Sequence, residues 1–251
     1  MKRAMVLTAV LLAMLIAVPS AFAAGDKGDD GWKFDLAPFY LWALTLDGDV
    51  GIGPVDQSLE ADFGEIWDNL EMVVTGHFEA RKGCWGGIID ASYLSLSPKN
   101  TLPNGVTVGV DLNVTMVELD GFYRIARDAH AFDILAGFRY TGQETDVSIT
   151  PPGLSGGLDV DWWDPIVGGR WMWGFTPKWQ FSARGDIGGF GMGSDFTWNA
   201  SALVIWQPWK HVALAAGYRT LYQDYEDGEG IDRYKWDATM HGPIAGIDFR
   251  W

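Results

Sequence analysis

The stretch Trp179-Gln180-Phe181-Ser182-Ala183-Arg184-Gly185-Asp186-Ile187-Gly188 decides how the chain is read. Trp179, Phe181, Ala183, Gly185 and Ile187 fall on one side of an extended chain, and Gln180, Ser182, Arg184, Asp186 and Gly188 on the other. A period of two is that of a strand, and its two faces here want opposite surroundings. Met72, Val74, Gly76, Phe78 and Ala80 alternate in the same way with Val73, Thr75, His77, Glu79 and Arg81. The final segment sets Pro243, Ala245, Ile247, Phe249 and Trp251 against Ile244, Gly246, Asp248 and Arg250.

Ten such segments run at about 34–47, 71–82, 84–97, 108–126, 131–146, 161–174, 179–189, 195–206, 211–225 and 233–251. Tight turns at Lys82-Gly83, Arg127 to His130, Thr176-Pro177-Lys178 and Gln207 to Lys210 alternate with longer loops near 48–70, 98–107, 147–160, 188–194 and 226–232. An even number of strands, with short turns at one end and long loops at the other, is the pattern of an outer-membrane meander. The fold expected is all-β: a closed antiparallel up-and-down transmembrane β-barrel of ten strands, or eight if two of the segments lie outside it. Both termini are expected on the short-turn, periplasmic side.

The 14 Trp support this placement. Trp85, Trp173, Trp179, Trp206, Trp209 and Trp251 lie beside the short turns, whereas Trp162, Trp163, Trp198, Tyr222, Tyr234 and Trp236 lie near the long loops. Two rings of aromatics suit the two bilayer interfaces, where an apolar body and a polar N–H or O–H are both accommodated. Residues 62–70 interrupt the strand pattern, with Phe63, Ile66, Trp67 and Leu70 at helical spacing, so a turn or two of helix is expected to cap the first long loop.

The N-terminus agrees with export. Lys2 and Arg3 precede an apolar run from Ala4 to Val18, and Ala21-Phe22-Ala23 supplies small residues for cleavage after Ala23. The run is too short for a membrane-spanning helix, and no later run reaches the 18 apolar residues expected of one. Residues 1–23 are read as a signal peptide and 24–251 as one barrel domain. Losing Lys2 and Arg3 leaves 16 basic against 33 acidic residues, a net charge of −17, which makes nucleic acid a poor partner. Cys84, the sole cysteine, allows no internal disulfide, and no Cys cluster exists to hold a metal or run redox chemistry.

The runs Gly76-His77-Phe78-Glu79-Ala80-Arg81-Lys82-Gly83, Asp164-Pro165-Ile166-Val167-Gly168 and Arg184-Gly185-Asp186-Ile187-Gly188-Gly189-Phe190 carry a family resemblance. On these the chain resembles the small outer-membrane β-barrels of the broad OmpA-like or porin-like superfamily, and within it an uncharacterised group. Phe249-Arg250-Trp251 resembles the C-terminal signal read by the barrel assembly machinery; that signal usually ends in Phe, and Trp stands there in this chain. The resemblance implies localisation and assembly in a membrane of lipid and lipopolysaccharide. It implies no activity or cofactor.

Read literally, the alternation turns Glu79, Arg81, Asp90, Glu118, Asp120, Arg124, Asp133, Arg139, Asp164, Arg170, Arg184, Asp186, Arg219, Asp248 and Arg250 into the lumen. Small barrels are largely filled by side chains, and Arg forks paired with carboxylates satisfy both in a space with little bulk water. Arg184 and Asp186, with Arg170 and Asp164 on the neighbouring strand, are expected to form a cross-strand network. The expected role is a structural barrel or a narrow polar pore with acidic surface loops. One alternative is a barrel enzyme acting on lipid A or peptides, for which His77 and Glu79, two residues apart on one expected face, are the candidate general acid–base pair; another is a soluble periplasmic β-protein. Acidic clusters at Asp56, Glu60, Asp62, Glu65 and Asp68 and at Asp224, Glu226, Asp227, Glu229 and Asp232 supply hard oxygen ligands for a divalent cation, at spacings that match no defined calcium loop.

Overall fold

A computed structural model of the chain describes residues 31–103, 105–151 and 153–251. The expected signal peptide lies outside the described residues. Fourteen strands appear in one sheet. The first expected segment, 34–47, is three pieces, β1 (Trp32–Ala37), β2 (Tyr40–Trp42) and β3 (Thr45–Ile52). Pro38, which has no N–H to give a ladder, lies in the first break. All three pieces pair with the last strand, so together they act as one strand of the ring. Next come β4 (Val55–Ala61), helix α1 (Phe63–Asp68), β5 (Leu70–Lys82), β6 (Trp85–Leu96) and β7 (Lys99–Thr101). The wall is completed by β8 (Thr107–Arg127), β9 (His130–Thr150), β10 (Leu154–Thr176), β11 (Trp179–Gly189), β12 (Phe196–Trp209), β13 (Val212–Asp227) and β14 (Tyr234–Arg250).

Each long strand pairs antiparallel with the next, from β5 to β14 with only β7 set aside. Closure comes from β1, which pairs on one edge with β5 from Trp32↔Lys82 to Ala37↔His77 and on the other with β14 at Asp35↔Arg250 and Leu36↔Phe249. The ring therefore has ten strands. β4, paired on β3 from Leu46↔Ala61 to Ile52↔Val55, and β7, paired on β8, are additions outside it. The expected loop over 48–70 thus contains a hairpin, and the expected loop over 147–160 is mostly strand, because β9 and β10 pair from Leu154↔Ile149 downward.

Closing the sheet satisfies the backbone groups that a lipid surround could not, and it leaves the outward side chains to meet that surround. Leu119, Ile134, Phe138, Val167, Ile187, Val204 and Ile247 are all large, apolar and exposed on the outer wall. The 11 residues of β11 match the length of a tilted strand crossing a bilayer. At 21 to 23 residues, β8, β9 and β10 overshoot that length and rise beyond it on the long-loop side.

Candidate functional site

The lumen is filled in layers, each set by which inward positions carry charge and which carry apolar side chains. Nearest the short turns, Arg250 reaches across the opening. Its Nε donates to Asp248 Oδ2 at 2.7 Å and lies 3.6 Å from Asp35 Oδ1, and its Nη1 stands 3.5 Å from the amide oxygens of Gln180 and Gln207. Above it, Arg124 and Arg170 both bind Asp133 and Glu79, with Arg170 Nη1 to Glu79 Oε2 at 2.6 Å and Arg124 Nε to Asp133 Oδ1 at 2.7 Å. Phe122 packs between these guanidiniums, each 5.2 Å from its ring centroid, and clusters with Ile88 and Leu135.

The middle layer is the most enclosed. Arg139, 1% exposed, donates to Glu118 at 2.8 Å, to Asp186 at 2.7 Å and to Thr197 at 3.3 Å. Arg184 binds Glu118, Asp120 (2.9 Å) and Asp186 (3.1 Å). Glycines make room for these groups: a Cβ on Gly137 would stand 2.3 Å from Asp120 Oδ1, and one on Gly168 would stand 2.6 Å from Asp186 Cβ. Beside this lattice, Asp90 receives Tyr40 Oη at 2.8 Å and Arg219 at 3.3 Å, and pairs with His77 Nδ1 at 3.1 Å.

Toward the long loops the lumen turns apolar. Trp162, Leu221, Tyr225, Tyr234, Trp236, Ala238 and Met240 are buried together with Leu46 of β3 and Ile66 of α1. Trp162 and Tyr225 stack at 4.2 Å with their planes 8° apart, bridging β10 and β13 above the short β11–β12 hairpin. Helix α1 enters this layer as a cap. Its N-terminus is closed by a capping box, in which Asp62 accepts from Glu65 N and the Glu65 carboxylate accepts from Asp62 N.

The alternation therefore places most of the expected lumen residues in contact, with four corrections. Arg81 bonds the carbonyl of Gly83 in the neighbouring turn and takes no part in the network. Asp164 pairs with no arginine among the described residues; it accepts Ser194 N at 2.6 Å, Ser194 Oγ at 2.9 Å and Trp162 Nε1 at 3.1 Å, tying the β11–β12 turn to β10. Arg170 stands directly opposite Arg184 in the β10–β11 register, so these like charges turn apart, Arg170 to β5 and β9 and Arg184 to β8. Of the network expected of Arg184, Asp186, Arg170 and Asp164, the Arg184–Asp186 contact remains, while Arg170 pairs with Asp133 directly opposite on β9 and with Glu79 across the lumen, and Arg184 reaches across it to Glu118 and Asp120. Fourth, Trp236 is no interfacial residue but lies 4% exposed in the apolar layer, as do Trp162 and Tyr234 beside it. Trp85, Trp163, Trp173, Trp179, Trp206 and Trp251 are exposed on the outer wall, and Trp198 is half-buried there.

Asp35, Tyr40, His77 and Asn199 join the network although charge alternation did not select them; Asp35 and Tyr40 lie on the broken first strand, where the period of two slips. His77 bonds Asp90 and not Glu79. His241 faces outward, between Tyr218 Oη at 2.7 Å and Asp47 at 2.8 Å. Among the described residues no three His, Cys, Asp or Glu groups converge so as to hold a metal ion. In the long loops Arg233 instead joins the two acidic clusters, bonding Asp56 at 2.7 Å and Glu226 at 2.6 Å. Its hydrogen bonds hold both carboxyls below their ordinary range and raise the guanidinium in turn.

No family model matches the sequence, and no curated protein sequence does. In fold the chain is similar to the outer membrane protease OmpT from Escherichia coli, with a TM-score of 0.57 at 6% identity over 92% of this chain and 100% of that one. Weaker likenesses are to the translocator domain of the autotransporter NalP from Neisseria meningitidis (0.46, 11% identity, 100% and 98%) and to the attachment invasion locus protein Ail of Yersinia pestis (0.37, 10%, 89% and 100%). With its closed ten-strand ring, apolar outer wall and aromatic borders, the chain is an integral β-barrel of the outer-membrane type.

Proposed function

We propose that the chain is a structural outer-membrane barrel with a closed lumen, which presents its acidic loops at the cell surface and is neither a diffusion channel nor an enzyme. The observation that carries this reading is the stacking of two unlike seals. An ion crossing the barrel would have to open the lattice of Arg139, Arg184, Glu118 and Asp186, and then the apolar layer bridged by Trp162 and Tyr225. In this reading residues 1–23 are removed on export and 24–251 form one domain. Short turns and both termini face the periplasm. The outer wall contacts lipid and lipopolysaccharide, and the assembly machinery reads Phe249-Arg250-Trp251. Catalysis in the lumen is disfavoured because the carboxylates beside His77 are already engaged, Asp90 by Tyr40 and Arg219 and Glu79 by Arg124 and Arg170.

Planar-bilayer recording on refolded protein tests the reading. The expected outcome is no stepwise current from the native chain, and a leak from the double variant Trp162→Ala/Tyr225→Ala. Steady ohmic steps from the native chain would overturn it in favour of a narrow pore, cation-selective because its lining is richer in carboxylates than in arginines.

A further inference from the structure

Between the Arg250 crossbar and the middle lattice the lumen holds a chamber of about 310 Å³, near the lower end of small-molecule sites. Along β11 to β14 its wall changes character with height. Toward the short turns Leu203, Ile205, Ala215 and Ile244 make it apolar, and one step higher stand Arg184, Ser201 and Arg219.

These polar groups have donors left over. A guanidinium carries five N–H donors. Arg184 gives Nε to Asp186 and Nη2 to Glu118 and Asp120, and Arg219 gives Nε to Asn199 and Nη1 to Asp90. Arg184 Nη1 and Arg219 Nη2 donate to no acceptor among the described residues, and neither nitrogen is sealed from accessible surface. In the strand registers Arg184 and Arg219 lie directly on either side of Ser201, each one strand spacing of about 5 Å away. The Ser201 hydroxyl has no hydrogen-bond partner among the described residues. Neither has that of Ser182, which faces the chamber beside Leu203 and is only 8% exposed. Enclosed donors without acceptors are costly, so this wall calls for an acceptor atom.

Charge restricts what brings that acceptor. The carboxylates on the chamber are already held: Glu79 by Arg124 and Arg170, Asp90 by Tyr40, His77 and Arg219, and Glu118 by Arg139 and Arg184. Arg250 fills the space between Asp35 and Asp248. A cation would meet the guanidiniums in place there. An anion meets the opposite difficulty, because these five carboxylates, with Asp120, Asp133 and Asp186, share only six arginines. An oxygen acceptor without net charge satisfies both conditions.

We infer that the chamber is a binding site for a small uncharged carbonyl compound, an amide or ester of a short acyl chain. Its carbonyl oxygen lies over Ser201 and accepts from Arg184 and Arg219. The chain runs along Leu203, Ile205 and Ile244 toward the short turns. Entry is from that end, past the single side chain of Arg250, since the lattice and the apolar layer close the other. The ligand is held and not passed on, so the site adds to a closed barrel without opening it.

The test is calorimetric titration of the full barrel, refolded in zwitterionic detergent, with pentanamide, pentanoate and pentylammonium, each corrected for uptake by empty micelles. Saturable one-site binding of pentanamide is expected, at least tenfold tighter than that of either ion. Ser201→Ala, which removes no side-chain hydrogen bond made within the described residues, should weaken it about fivefold, the loss of one hydrogen bond. Ala215→Phe, which fills the chamber from its apolar side, should abolish it. Heat-dependent gel migration reports whether each variant is folded; if Ala215→Phe is not, Ser201→Ala and the three-ligand comparison decide. Binding of either ion as tight as that of the amide, binding unchanged in a folded variant, or no saturable binding to the native barrel would each overturn the inference.

Discussion

At the scale of the residue, the alternation of the sequence reveals which side chains face inward but not whom they meet. Arg184 and Asp186 were legible as lumen groups from ten residues of strand, yet besides Asp186 itself the partners of Arg184 lie on β8, 64 and 66 positions away, because the opposing residue on the β10 side is another arginine. That arrangement makes a specific forecast. Arg184→Ala strands Asp120, for which Arg184 is the arginine partner, and removing one member of a buried ion pair costs about 3–5 kcal/mol, less where water enters. Asp120→Asn should cost much less, since Oδ1 of Asp120 is buried without a hydrogen-bond partner among the described residues and loses little by neutralisation. Combining the two should recover part of the loss from Arg184→Ala. Urea unfolding, followed by the shift between folded and unfolded bands on gels, measures all three; equal costs for the two single changes would show that the lattice is not a coupled unit.

Elements were legible where one face met lipid and the other a filled lumen, because only there does polarity alternate strictly. Ten segments emerged that way, and the cap emerged as the reverse, a break in the alternation over residues 62–70, inside which the helix Phe63–Asp68 lies. The β3–β4 hairpin did not: Asp56, Gln57, Ser58 and Glu60 put polar groups on both faces of a strand that extends beyond the ring. The broken first strand has a consequence for its neighbour. Residues 77–82 of β5 pair on both edges, whereas 70–75 pair only with β6, because β3 turns its second edge to β4. The gap is spanned at its lower end by Thr75, whose hydroxyl accepts from the backbone N–H of Tyr40 and donates to its carbonyl. Native-state hydrogen exchange should therefore show alternate amides of 70–74 exchanging fast, with uniform protection over 77–82. Uniform protection along all of β5 would mean that this edge is covered in the membrane by something other than β3.

For the whole molecule, what sequence could not separate was the inside of the barrel from the bilayer interface near the long loops, since Trp suits both. Trp163 and Trp236 look alike in a linear pattern, but the first is 49% exposed on the wall and the second is sealed in the lumen beside Trp162 and Tyr225. Orientation, by contrast, rests on turn length alone, and it can be tested without disturbing either layer. Ile231, 84% exposed in the β13–β14 loop, marks the long-loop end; native Cys84, exposed in the β5–β6 turn, marks the other. Gly228 is a poorer site for a reporter, because its φ of +78° disfavours any side chain and a Cβ there would stand 2.3 Å from Asp232 O. With long loops outside, a maleimide too large to cross the outer membrane should label Ile231→Cys on intact cells and leave Cys84 untouched until the cells are broken. Because the native chain carries its own internal control, the outcomes are distinct: labelling of Cys84 alone would mean an inverted barrel, and labelling of neither site until the cells are broken, then of both, would mean a chain that never enters the membrane.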